Sequence, residues 1–341
     1  MIPWWKISFQ DDELKRVIKS FKNQNISQGS VTRQFEEDLE EYLSIENVIA
    51  VSSGSAALLV ALMAIDIQPE DEVIIPDRTW IATAHAVKIL GAKPIVCEVE
   101  KEVPLIKISE IESHITSKTK AIIPVHLNGR DANINQINKV AKKNNLFVIE
   151  DAAQALGSKN QTGFLGTQSD IGCFSFSVAK TISTGQGGIV VTRDKNLAKK
   201  IRNIRTHGVE NIKDPKKWIL PGFNFRFTDL LASIGIEQLK RIDNAILNSK
   251  NIYKKYSEGI KNNSFSLIKV DVENGEVPVY VEYIVNNRDN LIKKLFDSDI
   301  ETRPFYPSIH EAEYISSKEL NFTNSLNFSY KGIYLPAGPD Q

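Results

Sequence analysis

Phe174-Ser175-Phe176-Ser177-Val178-Ala179-Lys180 is a strand-like run that ends in a single amine. It is followed shortly by the glycine-rich Gly185-Gln186-Gly187-Gly188. An amine held at a strand end, beside backbone with little side-chain bulk, is suited to form a Schiff base with an aldehyde cofactor. Lys180 is therefore the first candidate catalytic residue.

A carboxylate that suits such a cofactor lies upstream, in Val148-Ile149-Glu150-Asp151-Ala152-Ala153-Gln154. A pyridine nitrogen keeps its proton when a carboxylate lies beside it, and Asp151, at the end of an apolar run, is the candidate. Gln154 shares a face with Asp151 if the following turn is helical, because residues three apart are neighbours on a helix. The alternative is that Glu150 and Asp151 cap the next helix.

A phosphate site is predicted at Ser52-Ser53-Gly54-Ser55-Ala56-Ala57-Leu58-Leu59, where a strand, a glycine and an alanine-rich helix follow one another. Backbone N–H groups and the macrodipole make a helix start attractive to anions. Gly54 permits close approach of the backbone, Ser55 adds a hydroxyl, and Ser175 would add another from the sheet edge. The alternative is an ordinary helix N-cap.

Two further side chains follow strand-like runs. Trp80, in Asp77-Arg78-Thr79-Trp80, could stack on a cofactor ring or could pack in the core. Arg226, in Pro221-Gly222-Phe223-Asn224-Phe225-Arg226, could pair with an anionic group or form a structural salt bridge. The local sequence does not decide between the two alternatives for Trp80 or between the two for Arg226.

Over the first two thirds of the chain, short β-branched runs alternate with helical patterns, which predicts a mainly parallel α/β sheet covered by helices. The predicted strands are Val48–Val51, Glu72–Pro76, Pro94–Val99, Ala121–Val125, Leu146–Glu150, Ile171–Phe176 and Ile189–Thr192. The predicted helices are Ser55–Ile65, Thr79–Leu90, Ile134–Lys143 and one long helix from Thr228 to about Tyr256.

Beyond that long helix the pattern of apolar and polar residues changes. Val277–Val285 alternates like a strand and Arg288–Ser298 like a helix, which predicts a smaller α+β domain. The sequence therefore predicts a large domain over residues 1–240 and a small C-terminal domain over residues 241–341. The N-terminal segment is expected to pack on the small domain.

Composition excludes several classes of function. The 341 residues carry 42 basic and 42 acidic side chains, so neither a nucleic acid nor a cationic partner is expected. The N-terminus lacks a signal-peptide layout, and the longest apolar run, Ala56–Ile65, is about half a membrane span. With Cys97 and Cys173 in apolar runs, we expect reduced core thiols in a cytoplasmic protein that does not contact a membrane.

The sequence shows no motif typical of a metalloenzyme, a hydrolase with a nucleophile elbow or a P-loop NTPase. The five histidines show no paired metal spacing, so no metal site is expected. No serine or cysteine stands in a nucleophile elbow, and Gly185-Gln186-Gly187-Gly188 lacks the Lys-Ser/Thr ending of a phosphate-binding P-loop.

Taken in order, six motifs resemble the DegT/DnrJ/StrS family of pyridoxal-phosphate sugar aminotransferases from about Gly29 to Pro339. They are Ser53-Gly54-Ser55-Ala56-Ala57-Leu58, Asp71-Glu72-Val73-Ile74-Ile75-Pro76, Pro124-Val125-His126, Glu150-Asp151-Ala152-Ala153-Gln154, Phe174-Ser175-Phe176 with Lys180, and Asn224-Phe225-Arg226. The resemblance implies the type I PLP-dependent aminotransferase fold and a homodimer with active sites at the subunit interface.

The resemblance also implies roles for individual residues. Lys180 would bind pyridoxal 5′-phosphate covalently and shuttle protons, Asp151 would face the pyridine nitrogen, Gln154 would lie near the ring hydroxyl, and Trp80 would stack on the ring. Four residues would hold the phosphate: Gly54, Ser55 and Ser175, with Asn224 from the partner subunit. Related sugar 3-dehydratases carry His at the lysine position, so Lys180 favours transamination.

Lys180-Thr181-Ile182-Ser183-Thr184-Gly185 and Glu301-Thr302-Arg303-Pro304-Phe305-Tyr306-Pro307 with His310 are most similar to GDP-perosamine synthases, which aminate C4 of a 4-keto-6-deoxyhexose. Glutamate and a nucleotide-linked sugar are the expected substrates, in surface polysaccharide or glycan biosynthesis such as that of O-antigen. Arg226, Arg303 and His310 are further candidates for substrate contacts. Two rivals stay open: a regulatory protein with the same fold, and an aminotransferase for a free sugar or cyclitol.

Three positions depart from the family pattern. Gln186 stands where Glu is usual, and Ser55 replaces the commoner Thr. Relatives usually continue beyond the position of Gln341 into a last helix, so the small domain is expected to lack that helix.

Overall fold

The computed structural model describes residues 1–315 and 321–341. Its α-helices are α1 Asp11–Lys22, α2 Ser30–Leu43, α3 Gly54–Ala64, α4 Ala82–Ile89, α5 Ile108–His114, α6 Ile134–Asn144, α7 Lys195–Arg205, α8 Asp229–Leu239, α9 Ile242–Gly259, α10 Arg288–Phe296 and α11 Thr323–Lys331. Its strands are β1 Val48–Val51, β2 Glu72–Pro76, β3 Lys93–Cys97, β4 Thr119–Ile122, β5 Phe147–Asp151, β6 Lys159–Asn160, β7 Gly163–Phe164, β8 Ile171–Ser175, β9 Gly188–Val191, β10 Phe265–Leu267, β11 Val281–Val285, β12 Arg303–Pro304 and β13 Gly332–Leu335.

Seven strands form the first sheet, in the order β1-β9-β8-β5-β4-β2-β3. The five strands from β8 to β3 are parallel, whereas β9 runs antiparallel to both β8 and β1. The mainly parallel α/β sheet predicted from the sequence is confirmed, with each strand shifted by no more than a few residues.

Helices cover both faces of this sheet, which explains why its strands read as apolar runs without alternation. In β1, Ile49 and Val51 pack with α3 and α7, whereas Val48 and Ala50 pack on the opposite side with α2 and α8. The α6 face predicted from the spacing, Ile134, Ile137, Val140 and Ala141, is buried as expected.

Helix α3 is apolar on nearly all sides because it is buried beneath α4 and α7. It has 11 residues, about half of what a bilayer requires. Within residues 1–315 and 321–341, no helix combines the length and the apolar character needed to cross a membrane.

The single long helix predicted from Thr228 is wrong, because the chain forms α8 and α9 with a break at Lys240 and Arg241. Arg241 leaves helical geometry, with φ −108° and ψ 9°, and its guanidinium pairs with Glu13 of α1. This contact joins residues far apart in sequence, and no glycine or proline marks the break. The predicted boundary after residue 240 falls at this break, and the division into two domains stays a prediction.

The second sheet has four antiparallel strands, in the order β10-β11-β13-β12. The strand predicted from Val277 begins only at Val281. Pro278 has no N–H to donate to a neighbouring strand, and the N–H groups of Val277 and Tyr280 donate to Ser158 Oγ at 3.0 Å and to Asn128 Oδ1 at 2.6 Å.

The N-terminal segment runs beside this second sheet. Ile2 pairs with Ile300, and Trp5 pairs with Ala337, in isolated parallel bridges. Trp4 packs on Tyr280 and Tyr334, at ring-centroid distances of 5.9 and 6.3 Å. The segment thereby reaches the edge of the first sheet where the polar strand ends meet.

Candidate active site

A cavity of about 400 Å³ opens where the carboxyl ends of β2, β5 and β8 meet the start of α3. In open α/β sheets, ligands bind at the carboxyl ends of the parallel strands. The predicted site residues that line the cavity are Gly54, Ser55, Trp80, Asp151, Gln154, Ser175 and Lys180. The cavity therefore brings together predicted site residues from four separate stretches of the sequence.

Asp151 is the last residue of β5 and is 4% exposed. Its Oδ2 accepts a hydrogen bond from the Thr83 hydroxyl at 2.9 Å, and its Oδ1 accepts one from the Ala153 N–H at 3.1 Å. Burial raises the pKa of Asp151, against the opposing effects of these two donors and the positive charge of Lys180. A buried carboxylate of this kind is suited to a cationic N–H donor.

Glu150 faces away from the cavity. Its oxygens accept hydrogen bonds from the backbone N–H groups of Gly166 and Gln168, both at 2.7 Å. The Nε2 of His126 lies 2.9 Å from Glu150 and donates to it, because the other ring nitrogen accepts from the Ala132 N–H at 3.2 Å. The alternative that Glu150 and Asp151 cap a helix is wrong, since the described residues 152–158 form turns.

Lys180 lies five residues beyond the end of β8, in a turn and not at the strand end itself. Its amine faces the cavity with Asp151. Burial lowers the pKa of Lys180 to about 8, and the Asp151 charge opposes this shift only in part. Near neutral pH a useful fraction of the amine is therefore uncharged.

Hydrogen bonds from distant parts of the chain fix the two residues before Lys180. The indole Nε1 of Trp5 donates to the Val178 carbonyl at 3.0 Å, and the Tyr280 hydroxyl donates to the Ala179 carbonyl at 2.9 Å. The N-terminal segment and the residue directly before β11 thus both hold the turn that carries the amine.

The start of α3 has the geometry of an anion site. Ser53 is the N-cap, with an extended backbone, and its Oγ accepts from the Ala56 N–H at 3.0 Å. A Cβ on Gly54 would lie 2.8 Å from the Cβ of Ser175, so glycine permits the helix start to approach β8. The N-cap alternative describes Ser53 correctly, but Gly54 and Ser55 also line the cavity.

Gln154 reaches the cavity from a turn, and the helical turn on which its prediction depended is absent from the described residues 152–158. Its Oε1 accepts from the Asn128 N–H at 2.8 Å, which leaves the amide nitrogen for a ligand. Trp80 is 58% exposed, which rules out core packing. Its ring meets Tyr306 edge to face, with centroids 5.8 Å apart.

Four predicted residues lie outside the lining of this cavity. Asn224 Oδ1 accepts from Arg226 Nε at 2.8 Å, next to the exposed Phe223. Arg303 donates to Glu301 at 2.9 Å and lies over the Trp4 ring. The Nδ1 of His310 lies 2.6 Å from the Asp77 carboxylate, and its ring stacks on Phe322 at 4.2 Å.

Several lining residues escaped sequence analysis. They are Trp4, Thr79, Thr83, Ser177, Tyr280, Tyr306 and Tyr334. Thr83 stands four residues after Thr79, a spacing that places two hydroxyls on one face of a predicted helix and that could have been noticed. The tyrosines come from the far end of the chain, and nothing local in their sequence points to the strand ends of the first sheet.

Comparison with known proteins identifies relatives of this chain. The sequence model described as the DegT/DnrJ/EryC1/StrS aminotransferase family matches residues 8–341. GDP-perosamine synthase of Escherichia coli O157:H7 is 37% identical over 320 residues, which cover 92% of this chain and 86% of the relative. GDP-perosamine synthase of Caulobacter vibrioides is 35% identical over 294 residues, which cover 83% of this chain and 78% of the relative.

A solved structure shares the architecture. The crystal structure of Streptomyces DesV (S. venezuelae) in complex with a ketimine intermediate superposes with a TM-score of 0.91 at 27% identity, over 96% of this chain and 90% of that one.

Proposed function

Because this chain belongs to the DegT/DnrJ/EryC1/StrS aminotransferase family, we propose that it transfers the amino group of glutamate to C4 of a GDP-linked 4-keto-6-deoxyhexose. As a family member it is a sugar aminotransferase that depends on pyridoxal 5′-phosphate and has the type I aminotransferase fold. The similarity to two GDP-perosamine synthases supports a GDP-linked 4-keto-6-deoxyhexose as the acceptor substrate.

The residues of the cavity fit this cofactor. Asp151 is a buried carboxylate without a cationic hydrogen-bond donor among the residues described, and a pyridinium N–H would supply that donor. The start of α3 and Ser175 offer N–H groups and hydroxyls to a phosphate. When bound, pyridoxal phosphate supplies an electron sink for the carbon that exchanges its amine.

The observation that carries the proposal is that the Lys180 amine and the Asp151 carboxylate face one cavity. We assign Lys180 to hold the cofactor and to move a proton at its Nζ, for which a pKa of about 8 is suitable. Thr83 orients Asp151 through its hydroxyl. Gly54, Ser55 and Ser175 would bind the phosphate, Gln154 the ring hydroxyl, and Trp80 the ring face.

We further propose a homodimer in which Asn224 of the partner subunit completes each phosphate site. Support comes from the position of this residue outside its own cavity, next in sequence to Phe223, and from the exposure of Phe223 and Trp218, which are 65% and 72% exposed. Large exposed apolar side chains in one segment favour an interaction surface.

Among the weaker substrate candidates, Arg303 is the best placed, since its guanidinium carbon lies 5.4 Å from the ring of Trp4 in the cavity wall. Arg226 would act across the subunit interface, next to Asn224. The contacts of His310 with Asp77 and Phe322 favour a structural role. The buried free thiols of Cys97 and Cys173 support the cytoplasm as the site of action.

Glutamate-dependent amination of GDP-, UDP- and dTDP-linked 4-keto-6-deoxyhexoses tests the proposal. Turnover should be highest with the GDP sugar and should fall at least about 10²-fold in Lys180→Ala, because that variant loses the group that moves the proton. Lys195→Ala is the matched control, since its side chain is 83% exposed and lies in α7 outside the cavity lining. Absence of product with all three sugars would contradict the proposal.

A further inference from the structure

Tyr306 brings a buried hydroxyl to the cavity without a protein partner. Its ring lines the cavity, and its Oη is shielded from solvent yet makes no hydrogen bond within residues 1–315 and 321–341. Tyr334 and Gln154 are close enough for weak hydrogen bonding that lowers the pKa of this phenol, but neither makes a hydrogen bond of normal distance and angle with the Oη. Buried polar groups without partners are rare, and one in a cavity wall indicates a missing ligand.

Buried charged residues fix the position of this hydroxyl. The Nη1 of Arg78, which is 1% exposed, donates to the Tyr306 carbonyl at 2.8 Å, and the guanidinium carbon lies 4.9 Å from the centre of the phenol ring. The adjacent Asp77 accepts from the backbone N–H of His310 at 2.8 Å. The loop after β2 thus anchors the loop after β12 at Tyr306 itself and at His310, four residues later.

The chemistry of the phenol selects the kind of ligand. Burial raises the pKa of Tyr306 to about 12, with the Arg78 charge opposing, so the group is a neutral donor and acceptor at physiological pH. The charged carboxylates of glutamate would call for a cation. Hydroxyl groups of a sugar match a neutral phenol in both donor and acceptor capacity.

The position of the phenol points to the same ligand. Among the groups assigned to the cofactor, Asp151 and Ser175 end strands of the first sheet, and the start of α3 lies beside Ser175. Tyr306 instead follows β12 of the second sheet, and it lines the cavity together with Tyr334 of β13 and with Tyr280, which directly precedes β11.

We infer that Tyr306 is a specificity-determining residue whose hydroxyl hydrogen-bonds a hydroxyl group on the hexose ring of the acceptor sugar. The inference rests on the proposed function and adds to it the protein group that recognises the sugar. Arg78 is then a positioning residue, because it acts on the sugar only through the placement of Tyr306.

The two half-reactions of the holoenzyme of Tyr306→Phe test this assignment. With glutamate alone, the change in cofactor absorbance should keep its wild-type rate. With GDP-4-keto-6-deoxymannose as the probe, kcat/KM should fall about 3- to 10-fold, as expected for the loss of one neutral hydrogen bond. The Tm without sugar should stay the same or rise, because the substitution removes a buried hydroxyl without a partner.

Tyr283→Phe is the matched control. Tyr283 is buried in β11, outside the cavity lining, and its hydroxyl donates to the Tyr256 carbonyl at 3.0 Å. Loss of a formed hydrogen bond should lower the Tm and leave both half-reactions unchanged, the reverse of the pattern expected for Tyr306→Phe.

Three outcomes would overturn the inference: equal slowing of both half-reactions in Tyr306→Phe, no slowing of either, or a fall in Tm as large as that of Tyr283→Phe. Equal slowing would assign the phenol to the cofactor or the donor. Failure of the wild-type enzyme to aminate the sugar is a separate result, which would reject the proposed function itself.

Discussion

The indole Nε1 of Trp5 donates a hydrogen bond to the carbonyl oxygen of Val178, 3.0 Å away and 173 residues later in the chain. Val178 precedes the amine-bearing Lys180 by two residues, and the neighbouring carbonyl of Ala179 accepts from Tyr280. The N-terminal segment is therefore part of the support of the active site and not a peripheral extension.

Trp5→Phe should loosen the turn that carries Lys180. The variant keeps the aromatic packing against Tyr280 but loses the N–H donor, a change of about 0.5–1.5 kcal/mol. We expect faster backbone hydrogen exchange at residues 178–184 and a lower kcat, with exchange in β5 unchanged. Tyr280→Phe should act in the same direction through the adjacent carbonyl. Unchanged exchange in both variants would show that the turn is rigid without these donors.

The uncharged amine of Lys180 should become more available as pH rises through about 8, because burial lowers its pKa to that value. Only the neutral amine attacks an aldehyde, so the rate at which cofactor-free protein binds pyridoxal phosphate should increase over this range. Asp151→Asn removes the charge that partly opposes the shift and should move the rate profile to lower pH. A profile centred near the ordinary lysine value would contradict the buried position of Lys180.

Features that depend on residues close together in the sequence could be predicted, whereas features that depend on contacts between distant residues could not. The strands and the polar ends at Asp151 and Ser175 follow from short-range pattern, because parallel strands buried on both faces must read as apolar runs. The break between α8 and α9 depends on Arg241 meeting Glu13 of α1, a contact across 228 residues that no local pattern contains.

The residues of the candidate site likewise fall into two groups, those with a local sequence signal and those without one. Lys180 follows a recognisable strand, Asp151 ends one and Gly54 begins a helix, so the local pattern marked all three as candidates, although it left other interpretations of Asp151 and Gly54 open. Tyr306 gave no such signal, because its significance lies in a hydroxyl that finds no partner among the described residues. His310, in a similar motif, faces Asp77, which shows that position within a motif does not determine where a side chain points.

Gly54→Ala should weaken cofactor binding more than it affects the fold. The new Cβ would lie 2.8 Å from the Ser175 Cβ, so the start of α3 must move away from β8. We expect a higher Kd for pyridoxal phosphate, measured by absorbance titration. Gly259→Ala is the control, because its Cβ meets nothing within 4 Å at the end of α9. That substitution should change stability by at most about 1 kcal/mol, without a change in Kd.

The pair formed by His310 and Asp77 should make stability depend on pH. The hydrogen bond and charge of Asp77 raise the pKa of His310 above its ordinary value, against the opposing effect of burial. The folded protein therefore binds this proton more tightly than the unfolded chain, and its stabilising effect is complete below pH 6.5. The effect is lost as pH rises through the raised folded-state pKa.

Asp77→Asn tests this linkage through the difference in Tm from wild type, measured between pH 5 and pH 9. The asparagine keeps an acceptor for the His310 N–H but removes the charge, so the variant should lose most stability at low pH and approach wild type at high pH. His85→Gln is the control, since His85 lies in α4 and contacts Tyr314 at the surface. A constant difference in Tm across the range would mean that Asp77 acts by hydrogen bonding alone and that His310 stays neutral in the fold.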